Sequence, residues 1–171
     1  MRRLLISIPA VALVAPAWAA DMNVTVNIPR LNVAEYHRPY VSVWIERADK
    51  SIASQLAVWY AQKDSKEGAG TKWLPELRLW WRHGGREQQL PVDGVSGATR
   101  PVGDQVLKFQ GGKAPLGDLP AGKYELVVEA ARETGGREVV HVPFEWPVTS
   151  AQHIDQSGSV ELGAVKLDLA P

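Results

Sequence analysis

The stretch YELVVEA, residues 124–130, decides the fold class of this chain. Apolar side chains occupy every second position, and glutamates occupy two of the positions between them. Such period-two alternation predicts a strand with one buried face. The same pattern recurs along the chain, at residues 24–28, 41–46, 56–60, 140–145 and 160–169.

Turn-forming residues separate these predicted strands. LPAG at 119–122 and TGG at 134–136 have the composition of tight turns. Short strands at regular spacing predict an all-β fold, an immunoglobulin-like sandwich of two sheets. The disulfide and tryptophan signature of true immunoglobulin domains is absent, so the sequence leaves the strand topology open.

One segment, KWLPELRLWWRHGG at 72–85, has a helical period instead. Its apolar residues fall at i, i+4, i+7 and i+8, which places them on one helical face. These residues are Trp73, Leu77, Trp80 and Trp81. Pro75 suits a first helical turn and Gly84 suits the position after the last one. The sequence therefore predicts one short helix lying on the sandwich, after a polar loop at 63–71.

The first 19 residues have the layout of a secretory signal peptide. Arg2 and Arg3 precede an apolar run at 4–14, and Ala17-Trp18-Ala19 forms a small-x-small cleavage signal. We predict cleavage after Ala19 and a single β-sandwich domain over 20–171, located in the periplasm. The alternative for residues 1–19 is an uncut N-terminal anchor.

Composition excludes several classes of site. The chain has 19 basic and 19 acidic residues, and no basic cluster points to nucleic acid. Without cysteine there is no disulfide, thiolate-bound zinc, iron–sulfur cluster or thioether-linked haem. The four histidines form no HxH or HExxH pair, so we predict no metal site. A metal site built from distant histidines is the alternative.

The segment DGVSGAT, residues 93–99, is the strongest motif in the chain. It resembles the D-x-x-S-G-A-T acceptor sequence of periplasmic flavin transferases. The resemblance implies that a separate, magnesium-dependent transferase takes FAD and attaches FMN to the hydroxyl of Thr99 through a phosphoester. It also implies a recognition role for the other motif positions and for the residue that follows: Asp93, Gly94, Ser96, Gly97, Ala98 and Arg100.

The residue types suit this chemistry. Thr99 supplies the hydroxyl that a phosphoryl acceptor requires. The small residues at 96–98 allow close approach by another protein, and Asp93 and Gly94 favour a turn that presents the segment. Arg100 is placed to pair with the attached phosphate, or is simply a solvated surface arginine. The alternative for the whole segment is a plain turn between strands.

The wider chain resembles an uncharacterised family of predicted periplasmic proteins, the domain of unknown function 2271. The resemblance lies in IPRLNVAEYHRPYVSVWIER at 28–47, LRLWWRHGGRE at 77–87 and VDGVSGATRP at 92–101. It implies a place in electron-transfer systems beside flavin transferases and PepSY-type membrane reductases. The chain departs from the FMN-binding domains in which the acceptor motif is best known, since the rest of such a domain is not recognisable around the motif.

Five tryptophans lie between residues 44 and 81, and Trp80 and Trp81 are the two nearest the motif in sequence. We expect one or both to stack on the isoalloxazine ring, the alternative being that they are core residues. The sequence thus predicts a periplasmic electron-transfer protein that carries covalent FMN and is not itself an enzyme. The alternative function is a periplasmic binding or assembly module without flavin.

Overall fold

The computed structural model describes residues 20–64 and 68–171, so the predicted signal peptide lies outside the described residues. The described chain is an all-β sandwich with one short α-helix, as the alternating segments predict. Its strands are β1 (Asp21–Ile28), β2 (Tyr40–Glu46), β3 (Ile52–Tyr60), β4 (Ser96–Ala98), β5 (Gly103–Gln110), β6 (Gly122–Ala131), β7 (Arg137–Trp146), β8 (Gln152–Ser157) and β9 (Ala164–Ala170).

The strands form a four-stranded and a five-stranded sheet. The order is β5-β1-β9-β8 in the first sheet and β4-β3-β2-β6-β7 in the second. Neighbouring strands are antiparallel, except that β4 runs parallel to β3. Contacts between β7 and β8 bring those two edges together, so β4 and β5 lie on the opposite side of the sandwich.

The main core fills the space between the two sheets. It is built by the inward-facing, alternate residues of each strand, as the pattern predicts. Val24 and Leu167 from one sheet and Val43, Leu126 and Val142 from the other are all fully buried. At about 25 cal/mol per Å², burial of this apolar area is the main stabilising contribution to the sandwich.

A second core covers the outer face of the five-stranded sheet. Trp44 of β2 and Val127 of β6 point away from the first core, yet both are fully buried. They are covered by a helical insert, residues 70–87, which contributes Leu77 and Trp80 to the same cluster. The prediction of one buried face per strand is therefore wrong for β2 and β6, because the insert removes their second face from water.

The helical insert is shorter and more broken than its periodicity predicts. Trp73 and Pro75 lie in a 3₁₀ helix, Gly70–Glu76, and only Arg78–His83 forms the α-helix α1. Leu77, with φ −76° and ψ 69°, separates the two. Gly84 ends α1 with φ 141°, a conformation that favours glycine, which confirms its predicted role. A second 3₁₀ turn, Gly85–Glu87, follows.

A buried carboxylate from the sheet satisfies the start of α1. Glu129 of β6 is fully buried and accepts hydrogen bonds from the backbone N–H groups of Leu79 at 3.0 Å and Trp80 at 2.7 Å. Arg137 of β7 donates to the same carboxylate at 2.5 Å. Glu129 therefore joins the helical insert to the sheet as an N-terminal cap that is distant in sequence.

The alternation in the sequence does not predict β4, β5 or β8, and it predicts a longer strand at the position of β9. In β5 the inward positions include Gly103 and Gln105, whereas Val106 is 57% exposed, so the apolar alternation is lost. The edge strand β8 has a single half-buried apolar residue, Ile154. The strand predicted at 160–169 begins only at Ala164.

Glu138 of β7 anchors the segment that precedes β9. Its carboxylate accepts hydrogen bonds from four successive backbone N–H groups, those of residues 159–162, at 2.6 to 3.0 Å. Partial burial acts to raise the pKa of Glu138, but these donors together outweigh it and lower the pKa from 4.5 to about 2.

We expect this carboxylate to stabilise the fold above pH 4.5 and to lose its contribution as the pH falls towards 2. The contribution is at most roughly 3 kcal/mol, and solvent access lowers it. Urea unfolding of wild-type protein and Glu138→Gln should show a stability difference at neutral pH that shrinks near about pH 3. A difference that stays constant with pH would contradict the assigned role.

Candidate functional site

The motif forms a tight turn that leads into the short edge strand β4. The backbone N–H groups of Val95 and Ser96 both donate to the Val92 carbonyl, at 3.2 and 2.9 Å. Gly94, at the turn, has φ 73°, and a Cβ built there would meet nothing within 4 Å. Glycine is therefore required at this position by backbone conformation and not by crowding.

One motif residue anchors the segment to the protein. Val95 is 7% exposed and packs in the core beneath the helical insert, while its carbonyl accepts a hydrogen bond from Val58 N–H at 2.9 Å. From there β4 pairs with the end of β3, with Ser96 beside Val58 and Ala98 beside Tyr60. The motif is thus held firmly at its centre and follows the sheet edge up to Ala98.

Thr99 comes directly after β4 and outside any regular strand. It is half-buried, between an exposed Ala98 and an exposed Arg100. Residues 99–102 then cross from the edge of one sheet to β5, the edge strand of the other. Ser96–Ala98 thus form a short edge strand and not a plain turn, whereas Thr99 lies on a connection at an open side of the sandwich.

Close packing on a tryptophan explains the glycine at position 97. The guanidinium of Arg100 lies 5.2 Å from the ring centroid of Trp59 in β3. A Cβ at Gly97 would come within 3.2 Å of the same ring and 3.6 Å of Arg100 Nη2. A larger side chain at Gly97 would press on the Trp59 ring, over which the Arg100 guanidinium lies. Trp59 did not stand out in the sequence because its position fits an ordinary buried strand residue.

Ser96 has a local structural role. Its Oγ accepts a hydrogen bond from Val92 N–H at 2.9 Å and so closes the turn from the side opposite Gly94. Asp93 and Gly94 are exposed at the tip of the turn. The turn presents these two residues to solvent, where another protein can contact them.

The two tryptophans proposed as flavin contacts, Trp80 and Trp81, both belong to α1 of the helical insert. Trp80 is fully buried, and its indole N–H donates to Gln55 Oε1 at 2.6 Å. A Cβ on Gly85 would lie only 2.5 Å from the Trp80 ring, so the ring is covered on that side by backbone. Trp80 is therefore a core residue in this structure and offers no face to an isoalloxazine.

Trp81 lies towards the opposite edge of the sheet. It is half-buried and lines a cleft of about 330 Å³ together with Pro75, Arg78, Arg82 and Arg137. Arg137 belongs to β7, and four strand spacings separate β7 from β4, which amounts to about 19 Å. Proximity in sequence thus did not become proximity in space, because the insert crosses the outer face of the sheet before the chain returns to β4.

None of the helices formed by residues 20–64 and 68–171 has the length and apolar character needed to cross a membrane. No curated protein and no solved structure matches the chain. The model of one protein family, described as predicted periplasmic protein (DUF2271), matches residues 21–164, which include the motif and every strand except most of β9. On this match the chain belongs to the DUF2271 family of predicted periplasmic proteins.

Proposed function

We propose that this protein is a periplasmic electron-transfer component that carries FMN covalently on Thr99. The observation that carries the proposal is the placement of the acceptor motif. Its threonine follows an edge strand, lies outside any strand, and is flanked by exposed residues at an open side of the sandwich. An acceptor for a second enzyme needs such access, and a plain turn does not need the D-x-x-S-G-A-T order.

The attachment is a phosphoryl transfer in which this chain is the acceptor. Thr99 Oγ forms a bond to the phosphorus of the FMN half of FAD, and the pyrophosphate P–O bond to AMP breaks. AMP leaves with the bonding electron pair, and the hydroxyl proton passes to a base of the transferase. No oxidation occurs in this step, and the chain gains the mass of FMN less one water.

One neighbouring side chain, that of Arg100, supports the proposal of an attached phosphate. Arg100 follows Thr99 in the chain, and its exposed side chain places the guanidinium 5.2 Å from the Trp59 ring centroid. A guanidinium one residue from a phosphoester can turn towards it and donate charge-assisted hydrogen bonds. FMN, when bound, would supply electron transfer. Covalent attachment would prevent its loss by dilution outside the cytoplasm, and a PepSY-type membrane reductase is the donor that the resemblance implies.

Coexpression with an active flavin transferase tests the proposal. The wild-type chain, denatured and analysed by intact mass, should be heavier by one FMN less water and should retain flavin absorbance. Omission of the transferase, or of Mg²⁺ and FAD in a reaction with purified components, should leave the mass unchanged. A wild-type chain that never gains this mass while a known acceptor does so in the same cells would refute covalent flavinylation.

The second candidate function is a binding module without flavin. The specific observation that favours it is the cleft beside Trp81, where Arg78, Arg82 and Arg137 surround a half-buried aromatic ring. Such a surface suits an anionic or aromatic partner. A chain that stays unmodified but binds such a partner, with affinity lost in Trp81→Ala, would favour this function over the first.

A further inference from the structure

Three ionisable side chains meet on the outer face of the five-stranded sheet, at the end remote from the motif. Glu46 of β2 lies directly beside Glu125 of β6. His141 of β7 pairs with Val127, two positions along β6, and its Nδ1 lies 2.9 Å from Glu125 Oε2. One potential ligand atom from each residue lies within 4.8 Å of the other two. We refer to Glu46, Glu125 and His141 as the acid–histidine cluster.

Glu46 has lost water without gaining hydrogen bonds. Its side chain is fully buried, and neither carboxylate oxygen has a hydrogen-bond partner. His83 Nδ1 lies 2.7 Å from Oε1 and forms an ion pair with it only when the imidazole is protonated, and Lys50 Nζ is 3.8 Å from Oε2. A buried carboxylate in this state is costly unless a cation completes its surroundings.

Lys50 supplies only part of the required charge. Its ammonium group donates to Glu125 Oε2 at 3.2 Å, yet its side chain is 55% exposed. Glu125 is 37% exposed and His141 is 41% exposed, so solvent reaches the cluster. A cleft of about 320 Å³, lined in part by Glu46, Lys50 and Glu125, opens beside it. The lysine can therefore move into solvent while its backbone stays in place.

We propose that the acid–histidine cluster binds a divalent transition-metal ion such as Zn²⁺. Two carboxylates and one imidazole are a donor set that this class of ion accepts. His141 would coordinate through Nδ1 as the neutral ring, and Lys50 would leave with its proton. His83 of α1, whose Nδ1 lies 2.7 Å from Glu46 Oε1, would hold the Glu46 carboxylate in position.

The geometry requires only local adjustment. In a tetrahedral zinc site with bonds of about 2.1 Å, ligand atoms lie roughly 3.4 Å apart. The separations, all within 4.8 Å, can close to this value through side-chain rotation of the half-buried Glu125 and the exposed His141. Three protein ligands leave one coordination position for water. The proposal is independent of flavin, since Glu46 pairs with the start of β3 and the motif pairs with its end.

Titration calorimetry with Zn²⁺ on metal-free protein lacking any histidine tag tests the site. We expect one ion per chain, and affinity lowered at least about tenfold in both Glu125→Gln and His141→Gln. These residues are exposed enough to be replaced without unfolding the protein, unlike Glu46. The matched control is His153→Gln, which changes an exposed histidine 2.6 Å from Asp168 Oδ1 on the other sheet and should leave affinity unchanged.

The variant Lys50→Ala distinguishes a metal site from a cluster that only stabilises the fold. Removing the competing ammonium should tighten Zn²⁺ binding about threefold to tenfold. With Co²⁺ as the probe, visible absorption bands should appear in wild-type protein and be lost in His141→Gln. Absence of saturable Zn²⁺ binding by wild-type protein, or equal affinity of wild type and His141→Gln, would overturn the proposal.

Discussion

Replacing Thr99 by alanine is expected to abolish the FMN mass that the wild-type chain gains from a flavin transferase. The change removes the hydroxyl that forms the phosphoester, and no neighbouring group can substitute at the same place in the motif. Ser96, the other hydroxyl of the motif, lies three residues earlier, and its Oγ is engaged by Val92 N–H at 2.9 Å. Intact mass after coexpression measures the result directly.

Two matched variants make the result specific. Thr99→Ser keeps the hydroxyl and should retain attachment. Ser96→Ala keeps the acceptor but opens the turn, at a cost of about 1 kcal/mol in stability, and should slow attachment without preventing it. If Thr99→Ala still gains one FMN, the attachment site lies elsewhere. If Ser96→Ala alone loses it, Ser96 is the acceptor.

Glu129→Ala is expected to lower the free energy of unfolding by about 3 kcal/mol or more. The carboxylate is fully buried and accepts from Leu79 N–H, Trp80 N–H and Arg137. Its removal leaves a buried backbone donor at Trp80 without an acceptor and releases the helical insert from the sheet. Urea unfolding followed by tryptophan fluorescence gives the measurement.

The control for this prediction is Glu145→Ala. Glu145 also lies on the five-stranded sheet, but its side chain is 70% exposed and its carboxylate is 3.6 Å from Lys123 Nζ. An exposed ion pair of this kind contributes little, so the change should cost less than about 0.5 kcal/mol. A loss below about 1 kcal/mol in Glu129→Ala would mean that packing of Leu77 and Trp80, and not the carboxylate, holds the insert.

The candidate site was predictable from sequence only where its chemistry is local. A hydroxyl at Thr99, a turn at Asp93 and Gly94 and small residues at 96–98 are properties of neighbouring residues, and the structure places them in one continuous segment. The partners of that segment were not predictable. Trp59 contacts Arg100 although it lies 41 residues earlier in the chain, and Val95 is buried in the cluster that the helical insert covers.

The contrast between local pattern and tertiary contact also explains why Trp80 and Trp81 differ in burial. Trp80 and Trp81 are adjacent in sequence, and helical periodicity assigns both to one apolar face. In the structure Trp80 is fully buried, while Trp81 is half-buried beside the arginines of the cleft. Periodicity states which side of a helix is apolar, but the break at Leu77 and the position of α1 on the sheet determine which ring remains accessible.

The sequence by itself determined the all-β class, because alternation at 124–130 and in the similar segments follows from the two-residue repeat of a strand. It also determined the end of α1 at Gly84, since a backbone conformation with φ 141° favours glycine. Only the tertiary structure decided that Glu46 and Glu129 would be buried. Both glutamates occupy positions that a strand with one buried face turns towards water, and the insert then excludes that water. Burial of a polar side chain depends on what packs above it, and that is a contact between residues far apart in the chain.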